Sequence, residues 1–434
     1  MSEERRIIYL CLAHMSEAGL EQKYVKEAFD TNWVVPMGPN VNAFEHALEE
    51  FVNEKKNLDR KVVCLSAGTA AIHLALIGCG VKTGDEVIVQ SFTFCASSHP
   101  ITYLGAKPVF VGSEATTWNM DPELLEWAIL DRKVKTGNYP KAIILVALYG
   151  MPYQIDKIME IADRYGIPIV EDAAEGMGSR FNGQVLGTFG KYGVLSFNGN
   201  KMITTSGGGA LICRNAEDAN EMMWYATQAR DAYPYYQHTD IGYNYRMSNV
   251  CAGIGRGQMS VLDDHIKHHQ HVQALYERLL ADIPGVNVHT SPANPPSFQG
   301  SDGDRYYDSN FWLCAATLDP EVRIQGQENA YKEVIKTAVG GAAGVIHAVD
   351  NATTDCQPND NVEALRLFML GKNVECRPLW KPMHKQPVYI NASVYTNNIE
   401  VELFKVGFCL PAGPYVTDDD VQYIVESIKE AILK

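Results

Sequence analysis

Short apolar runs separated by amphipathic stretches recur through the first half of the chain. Residues 61–65, 86–90, 108–111, 142–147 and 167–172 are runs of mostly apolar positions. Between them, residues 70–77, 122–130 and 155–165 carry apolar side chains at helical spacing, and a further helix is predicted from the end of Ser91-Phe-Thr-Phe94 to Leu104. Strand and helix therefore alternate. That alternation predicts an α/β fold built on a mostly parallel sheet covered on both faces. Ahead of it, residues 21–29 and the spacing of Phe44, Leu48 and Phe51 predict two helices. The turn-rich segment 32–39 between them is disfavoured as helix at its prolines.

The pattern then changes. Residues 192–197 and 210–213 read as strands on either side of an exposed loop, with Lys201 at its tip and Gly207, Gly208 and Gly209 behind it. Helices are predicted at 217–227 and 265–280, with a tyrosine-rich loop at 231–245 and another long helix between. Pro292, Pro295 and Pro296 break the periodicity. The chain is accordingly divided into a large domain, 1–290, and a small C-terminal α+β domain, 291–434. The small domain has a strand at 311–318 and helices at 362–370, 399–404 and 419–433. Residues 325–358, rich in glycine, alanine and polar side chains, allow a helix near 331–339 and are otherwise unassigned.

Composition narrows the function. At 434 residues the chain can bury a large core in two or three domain-sized units. A net charge of -15 argues against a nucleic-acid surface, so any anionic ligand needs a local basic pocket. The ten cysteines include no Cys-x-x-Cys pair, which argues against a disulfide-dense secreted protein or a cysteine zinc site and fits thiols kept reduced in the cytoplasm. No stretch reaches membrane-spanning length, and residues 7–12 are too short for a signal-peptide core. His265, His268, His269 and His271 share a helix, but no Glu or Cys joins them at motif spacing. A solvated helical face is expected there, and no metal.

In a doubly covered parallel sheet, ligand groups gather at the carboxyl ends of strands. Ser66-Ala-Gly-Thr69, Ser91-Phe-Thr-Phe94 and Asp172 all fall there. The first is either an ordinary helix N-cap or a phosphate cradle of free N–H groups. Asp172 is either a cap for the turn at Ala173 or a partner for a protonated ring nitrogen. Phe94 is either core or a platform for a flat ring. Lys201 is either a solvated surface lysine or the amine that holds a carbonyl cofactor, and the glycines let the backbone adopt conformations barred to other residues and approach a ligand closely.

Taken together, these segments resemble the DegT/DnrJ/EryC1/StrS family: the Ser-Gly-Thr-like turn, Ser91-Phe-Thr-Phe94, Glu171-Asp-Ala-Ala-Glu175, Ser196-Phe-Asn-Gly-Asn-Lys201 with its glycines, and Gly242-Tyr-Asn-Tyr-Arg-Met-Ser248. These are pyridoxal-phosphate sugar aminotransferases of fold type I, aspartate aminotransferase-like. Cys376-Arg-Pro-Leu-Trp-Lys-Pro-Met-His384 is similar to the C-terminal signature of members that aminate C4 of UDP-linked 4-keto-6-deoxy-N-acetyl sugars. The resemblance implies that Lys201 forms the covalent aldimine with pyridoxal 5'-phosphate and that pyridoxamine phosphate carries the amine from L-glutamate to the sugar. It also implies that Asp172 pairs with the ring nitrogen, Glu175 lies near the ring hydroxyl and Phe94 stacks on the ring. Gly68, Thr69 and Ser196 would hold the phosphate, and Asn244 would reach the phosphate of the neighbouring subunit in a homodimer with shared sites. Asn198, Arg230, Trp380 and His384 are the candidates for the nucleotide-sugar substrate. Some relatives have histidine in place of the lysine and act as dehydratases; the intact Lys201 disfavours that chemistry. The competing readings are a C3 or dTDP-sugar aminotransferase of the same family and a non-catalytic regulator that keeps the fold. The product would serve bacterial surface glycan or polysaccharide synthesis, with no nucleic-acid or membrane partner.

Overall fold

The computed structural model describes residues 5–54, 58–300, 304–331 and 356–433. Two helices come first, α1 (Leu20–Asp30) and α2 (Pro39–Asn53). Then β1 (Lys61–Leu65), α3 (Gly68–Gly78), β2 (Glu86–Gln90), α4 (His99–Tyr103), β3 (Lys107–Val111), α5 (Pro122–Thr136), β4 (Ala142–Val146), α6 (Ile155–Tyr165) and β5 (Ile169–Asp172) alternate. A small hairpin, β6 (Arg180–Phe181) and β7 (Gln184–Val185), precedes β8 (Tyr192–Ser196) and β9 (Gly209–Cys213), and α7 (Ala216–Ala226), α8 (Asn249–Gln258) and α9 (Leu262–Leu280) follow. The rest comprises β10 (Val286–Val288), β11 (Tyr307–Asp308), β12 (Cys314–Leu318), α10 (Asp360–Gly371), β13 (Arg377–Pro378), β14 (Ser393–Tyr395), α11 (Ile399–Val406), β15 (Gly407–Leu410) and α12 (Asp418–Ala431). The helix expected near 331–339 lies outside the described residues, apart from Tyr331.

Eight strands form one sheet in the order β1-β9-β8-β5-β4-β2-β3-β14. Its pairs are parallel except those made by β9, which runs against both β8 and β1. The carboxyl ends of β1, β2, β4, β5 and β8 therefore lie along a single edge. Alternation within β5 sends Ile169 to one core and Val170 to the other. The two adjacent carboxylates separate in the same way. Glu171 is buried among its own donors, accepting N–H bonds from Gly187, Phe189 and Gly190 and a bond from the Tyr153 hydroxyl, which leaves Asp172 for the sheet's carboxyl edge.

Two helices depart from expectation for local reasons. The stretch after Phe94 splits into a 3-10 turn, Cys95–Ser97, and α4, because Pro100 can begin a helix but not continue one. α5 runs past residue 130 to Thr136. Its last turns carry a Lys135–Asp131 ion pair and end on left-handed Gly137, support that leaves no apolar period to read.

A second sheet, β10-β12-β15-β13, is antiparallel and packs with α9, α10 and α12 around its own core. The chain crosses between the two cores more than once. β14 joins the large sheet beside β3, while Ile8, near the other end, is fully buried in the second core and forms a bridge with Val374. The outer edge of β1 is covered as well: Glu49 and Glu45 of α2 accept the N–H groups of Val62 and Cys64, which leaves no open ladder for another chain. All ten cysteines are free thiols. No helix among the described residues is long and apolar enough to cross a membrane.

Candidate active site

At the carboxyl edge a cavity of ≈ 360 Å³ opens between the strand ends and the segments that carry Trp312 and Trp380. Lys201 projects into it. The loop that carries Lys201 is not the exposed tip the sequence suggested. Met202, Ile203, Thr204 and Thr205 are buried, Thr205 N–H donates to Phe197 O, and His265 Nδ1 holds Met202 O at 3.0 Å. The glycines act by close approach and not by unusual dihedrals: among residues 206–209 it is Ser206 that has a positive φ, 72°. A Cβ on Gly209 would lie 2.3 Å from Gly68 N, so the glycine lets β9 press against the start of α3.

The Lys201 side chain is 14% exposed, with Nζ 3.5 Å from Glu175 Oε1. Its other neighbour is Trp312, whose ring centroid is 3.9 Å from Nζ. Trp312 is anchored in turn, with Nε1–H donating to Asn200 O at 2.7 Å and its backbone N–H donating to Asn310 Oδ1 at 2.9 Å. Asn310 Nδ2 reaches Glu175 O at 2.9 Å, so one bracket ties the lysine loop to the carboxylate loop. Glu175 Oε2 accepts the Tyr149 N–H at 2.8 Å. Burial raises the Glu175 carboxyl above its ordinary value, opposed mainly by the charge of Lys201.

Asp172 ends β5 on the cavity wall. Its Oδ1 accepts the Ala174 N–H at 3.1 Å, as a turn cap would, and its Oδ2 accepts the Ser97 hydroxyl at 2.7 Å. Burial holds this carboxyl above its usual value, countered by those two bonds and by Lys201. Both donors are neutral, so the site has room in its chemistry for a cation. A protonated ring nitrogen supplies one. Along the same edge, α3 begins at Gly68 with Ala67 as N-cap and no side-chain cap. Its first N–H groups, Gly68 and Thr69 among them, have no partner within the helix and face the cavity together with Ser196. A Cβ on Gly68 would come within 3.2 Å of Ser196 Cβ, and its absence keeps that mouth clear for an anion. Phe94, 50% exposed, is not core; it stands over the opening with its ring 5.2 Å from that of Trp380. A buried amine, a carboxylate with only neutral donors, an exposed aromatic ring and an uncapped helix start around one cavity fit the groups of pyridoxal phosphate.

Asn198 and Trp380 also line the cavity, whereas Arg230, Asn244 and His384 do not. Arg230 is exposed, its guanidinium 4.3 Å from the centre of the Tyr236 ring. Asn244 is exposed between Tyr243 and Tyr245, which stack on each other and pack against His73. His384 is buried with Nδ1 2.7 Å from Ser91 Oγ. Burial lowers its imidazole to about 4, so the 3.8 Å approach to Glu400 is not an ion pair near neutral pH. The four histidines of α9 are not a solvated face. His265 and His269 are buried, His265, His268 and His269 each hold a backbone carbonyl, and His271 meets Asp418. Among the described residues no cluster could hold a metal ion.

The sequence reading missed Ser97, Tyr149, Asn310 and Trp312. Ser97 lies three residues past Phe94, close to the Ser91-Phe-Thr-Phe94 turn. Trp312 is the second residue of what reads as a strand, and nothing local shows that it reaches Lys201.

The sequence matches the profile of the DegT/DnrJ/EryC1/StrS aminotransferase family over residues 16–321 and 324–429. It is 40% identical over 423 residues to EpsN of Bacillus subtilis (strain 168), a proposed pyridoxal phosphate-dependent aminotransferase, covering 96% of this chain and 94% of that one. It is 31% identical over 422 residues to the GDP-perosamine synthase of Escherichia coli O157:H7, covering 97% and 98%. The crystal structure of a DegT DnrJ EryC1 StrS aminotransferase from Brucella abortus has the same fold, with a TM-score of 0.78 over 95% of each chain at 24% identity.

Proposed function

Because this chain belongs to the DegT/DnrJ/EryC1/StrS aminotransferase family and is a pyridoxal phosphate-dependent sugar aminotransferase, we propose that it transfers the amino group of L-glutamate to C4 of a UDP-linked 4-keto-6-deoxy-N-acetyl hexose. When bound, pyridoxal phosphate supplies an aldehyde that takes the amino group and a pyridine ring that draws electrons from the adjacent C–H bond. Lys201 Nζ, the amine in the cavity, would hold the cofactor's aldehyde and, when free of it, would move the proton as general base and general acid. Asp172 keeps the ring nitrogen protonated. Gly68 and Thr69 N–H groups and the Ser196 hydroxyl receive the phosphate, and Phe94 covers one face of the ring. Glu175, facing Nζ, would lie beside the ring hydroxyl.

The observation that carries the substrate reading is Trp380. It belongs to the Cys376-Arg-Pro-Leu-Trp-Lys-Pro-Met-His384 stretch and lines the same cavity as Lys201. Its indole offers a flat face for uracil or sugar. Lys381 on the same stretch and Lys385 just after it bring positive charge for a diphosphate to a protein that is acidic overall. A guanine nucleotide is the rival, favoured by the likeness to GDP-perosamine synthase. With UDP-, GDP- and dTDP-linked 4-keto sugars as acceptors, we expect kcat/KM to favour the UDP sugar by at least about tenfold. Preference for another nucleotide, or amination at C3, overturns the substrate and leaves the aminotransferase standing.

We further propose a homodimer in which Asn244 completes the partner's phosphate site. Its exposed position, in a loop with exposed Tyr233, Tyr235, Tyr236 and Ile241, supports this reading. A mixed dimer of Lys201→Ala and Asn244→Ala subunits is expected to regain activity, because one composite site is intact. If both single variants are inactive and a verified heterodimer recovers nothing, the shared site is wrong.

A further inference from the structure

Tyr149 stands where the carboxylate side and the Trp380 side of the cavity meet. It follows β4 in the turn Leu148-Tyr-Gly150 and adopts φ 52°, ψ 20°, a left-handed conformation unusual for a bulky residue. Gly150 beside it has φ 90°, and a Cβ there would fall 1.9 Å from Asn310 Oδ1. Such a turn persists only where its surroundings hold it, and strained turns cluster at functional sites.

Its contacts show what the turn achieves. The Tyr149 N–H donates to Glu175 Oε2, whose other oxygen faces Lys201 Nζ. The phenol oxygen accepts the backbone N–H of Trp380 at 2.8 Å. The two rings lie 15° from parallel with centroids 6.2 Å apart. At 3% exposure, no water stands ready to replace a lost partner. The backbone of one residue thus fixes the carboxylate beside the lysine, while its side chain fixes the indole. Trp380 Nε1 is itself buried with no acceptor among the described residues, so that N–H does nothing to hold the indole in place.

We propose that Tyr149 is a positioning residue for the acceptor half of the reaction. Its ring and hydroxyl set Trp380 against Phe94 and so set the fit of the keto sugar, separately from the hold of its backbone on Glu175. It touches no reacting atom. The inference rests on the reading of Trp380 as part of the keto-sugar site.

Two variants separate the roles. Tyr149→Phe removes the hydroxyl, and with it the acceptor for Trp380 N–H, and keeps the ring. Tyr149→Gly removes the ring as well, in a conformation glycine adopts freely. Hydrogen exchange at the Trp380 amide is read without substrate. The cofactor absorbance change on adding glutamate reads the donor half, and KM for the 4-keto sugar reads the acceptor half. For Tyr149→Phe we expect faster exchange at Trp380 and a KM raised about tenfold, with the donor half within about twofold of the unsubstituted enzyme. Tyr149→Gly is expected to raise KM further while the donor half persists. Unchanged exchange and KM, or equal losses in both halves, overturn the proposal. Failure of the substrate reading shows instead in the unsubstituted enzyme, as absence of amination of the UDP 4-keto sugar; exchange at Trp380 and the donor half still decide the role of Tyr149 in that event.

Discussion

Lys201→Ala removes amino transfer, with a loss on the order of 10^4-fold or more, and leaves a folded protein that still takes up its cofactor. No other amine lines the cavity among the described residues, so nothing replaces Nζ either in holding the aldehyde or in carrying the proton. The fold does not depend on the side chain. Lys201 makes one contact with Glu175 and one with Trp312, and the loop around it is held by Phe197, Gln258 and His265. Cofactor uptake survives because the Gly68–Thr69 mouth and Asp172 are untouched. Borohydride treatment followed by mass measurement of the intact chain separates the outcomes. The unsubstituted chain gains the cofactor's mass and the variant does not. Trapping on the variant at the unsubstituted level would remove Lys201 from its role.

Asp172→Asn is the second large effect, a loss in kcat on the order of 10^2- to 10^3-fold in a protein that melts near the original temperature. The amide can keep both local bonds. Its oxygen accepts the Ala174 N–H, and its NH2 donates to Ser97, whose hydroxyl rotates and gives its own proton to Thr93, already 2.7 Å away. What the amide cannot do is hold a proton on the ring nitrogen as a carboxylate does. Melting temperature and kcat together test this, and near-normal turnover would make Asp172 a turn cap only. The cofactor-free proteins also differ in pH dependence. Burial raises the Asp172 carboxyl, so the folded state binds its proton more tightly than the unfolded chain. The stability this contributes is present below the unfolded value and declines as pH rises through the raised one. The variant lacks that decline.

The alternation of apolar runs and helical spacings revealed the sheet, and position at strand ends revealed Gly68, Thr69, Phe94 and Asp172, because these depend on local rules of period and chain direction. Asp172 was separable from Glu171 in principle by alternation alone. Trp312 and Tyr149 were not legible. Trp312 meets Lys201 through a bracket built on Asn310, and Tyr149 meets Trp380 across 231 positions of sequence. Periodicity carries no information about which distant loops converge. The α9 histidines misled for a related reason: their spacing suggested a helix face, but what covers that face is the lysine loop together with segments near Phe311 and Gly413.

The large sheet takes its last strand, β14, from a part of the chain made after α10, and the second core takes Ile8 from a part made before α1. During synthesis, β3 therefore emerges with its outer edge bare and keeps it bare until residues 393–395 arrive. Leu10 likewise waits for Glu375, its hydrogen-bond partner 365 positions later. Neither core can close in the order in which the ribosome delivers it. Closing both cores consequently depends on pairings far apart in sequence, which slow folding, and the edge of β3, bare until β14 arrives, is open to wrong pairing in the nascent chain.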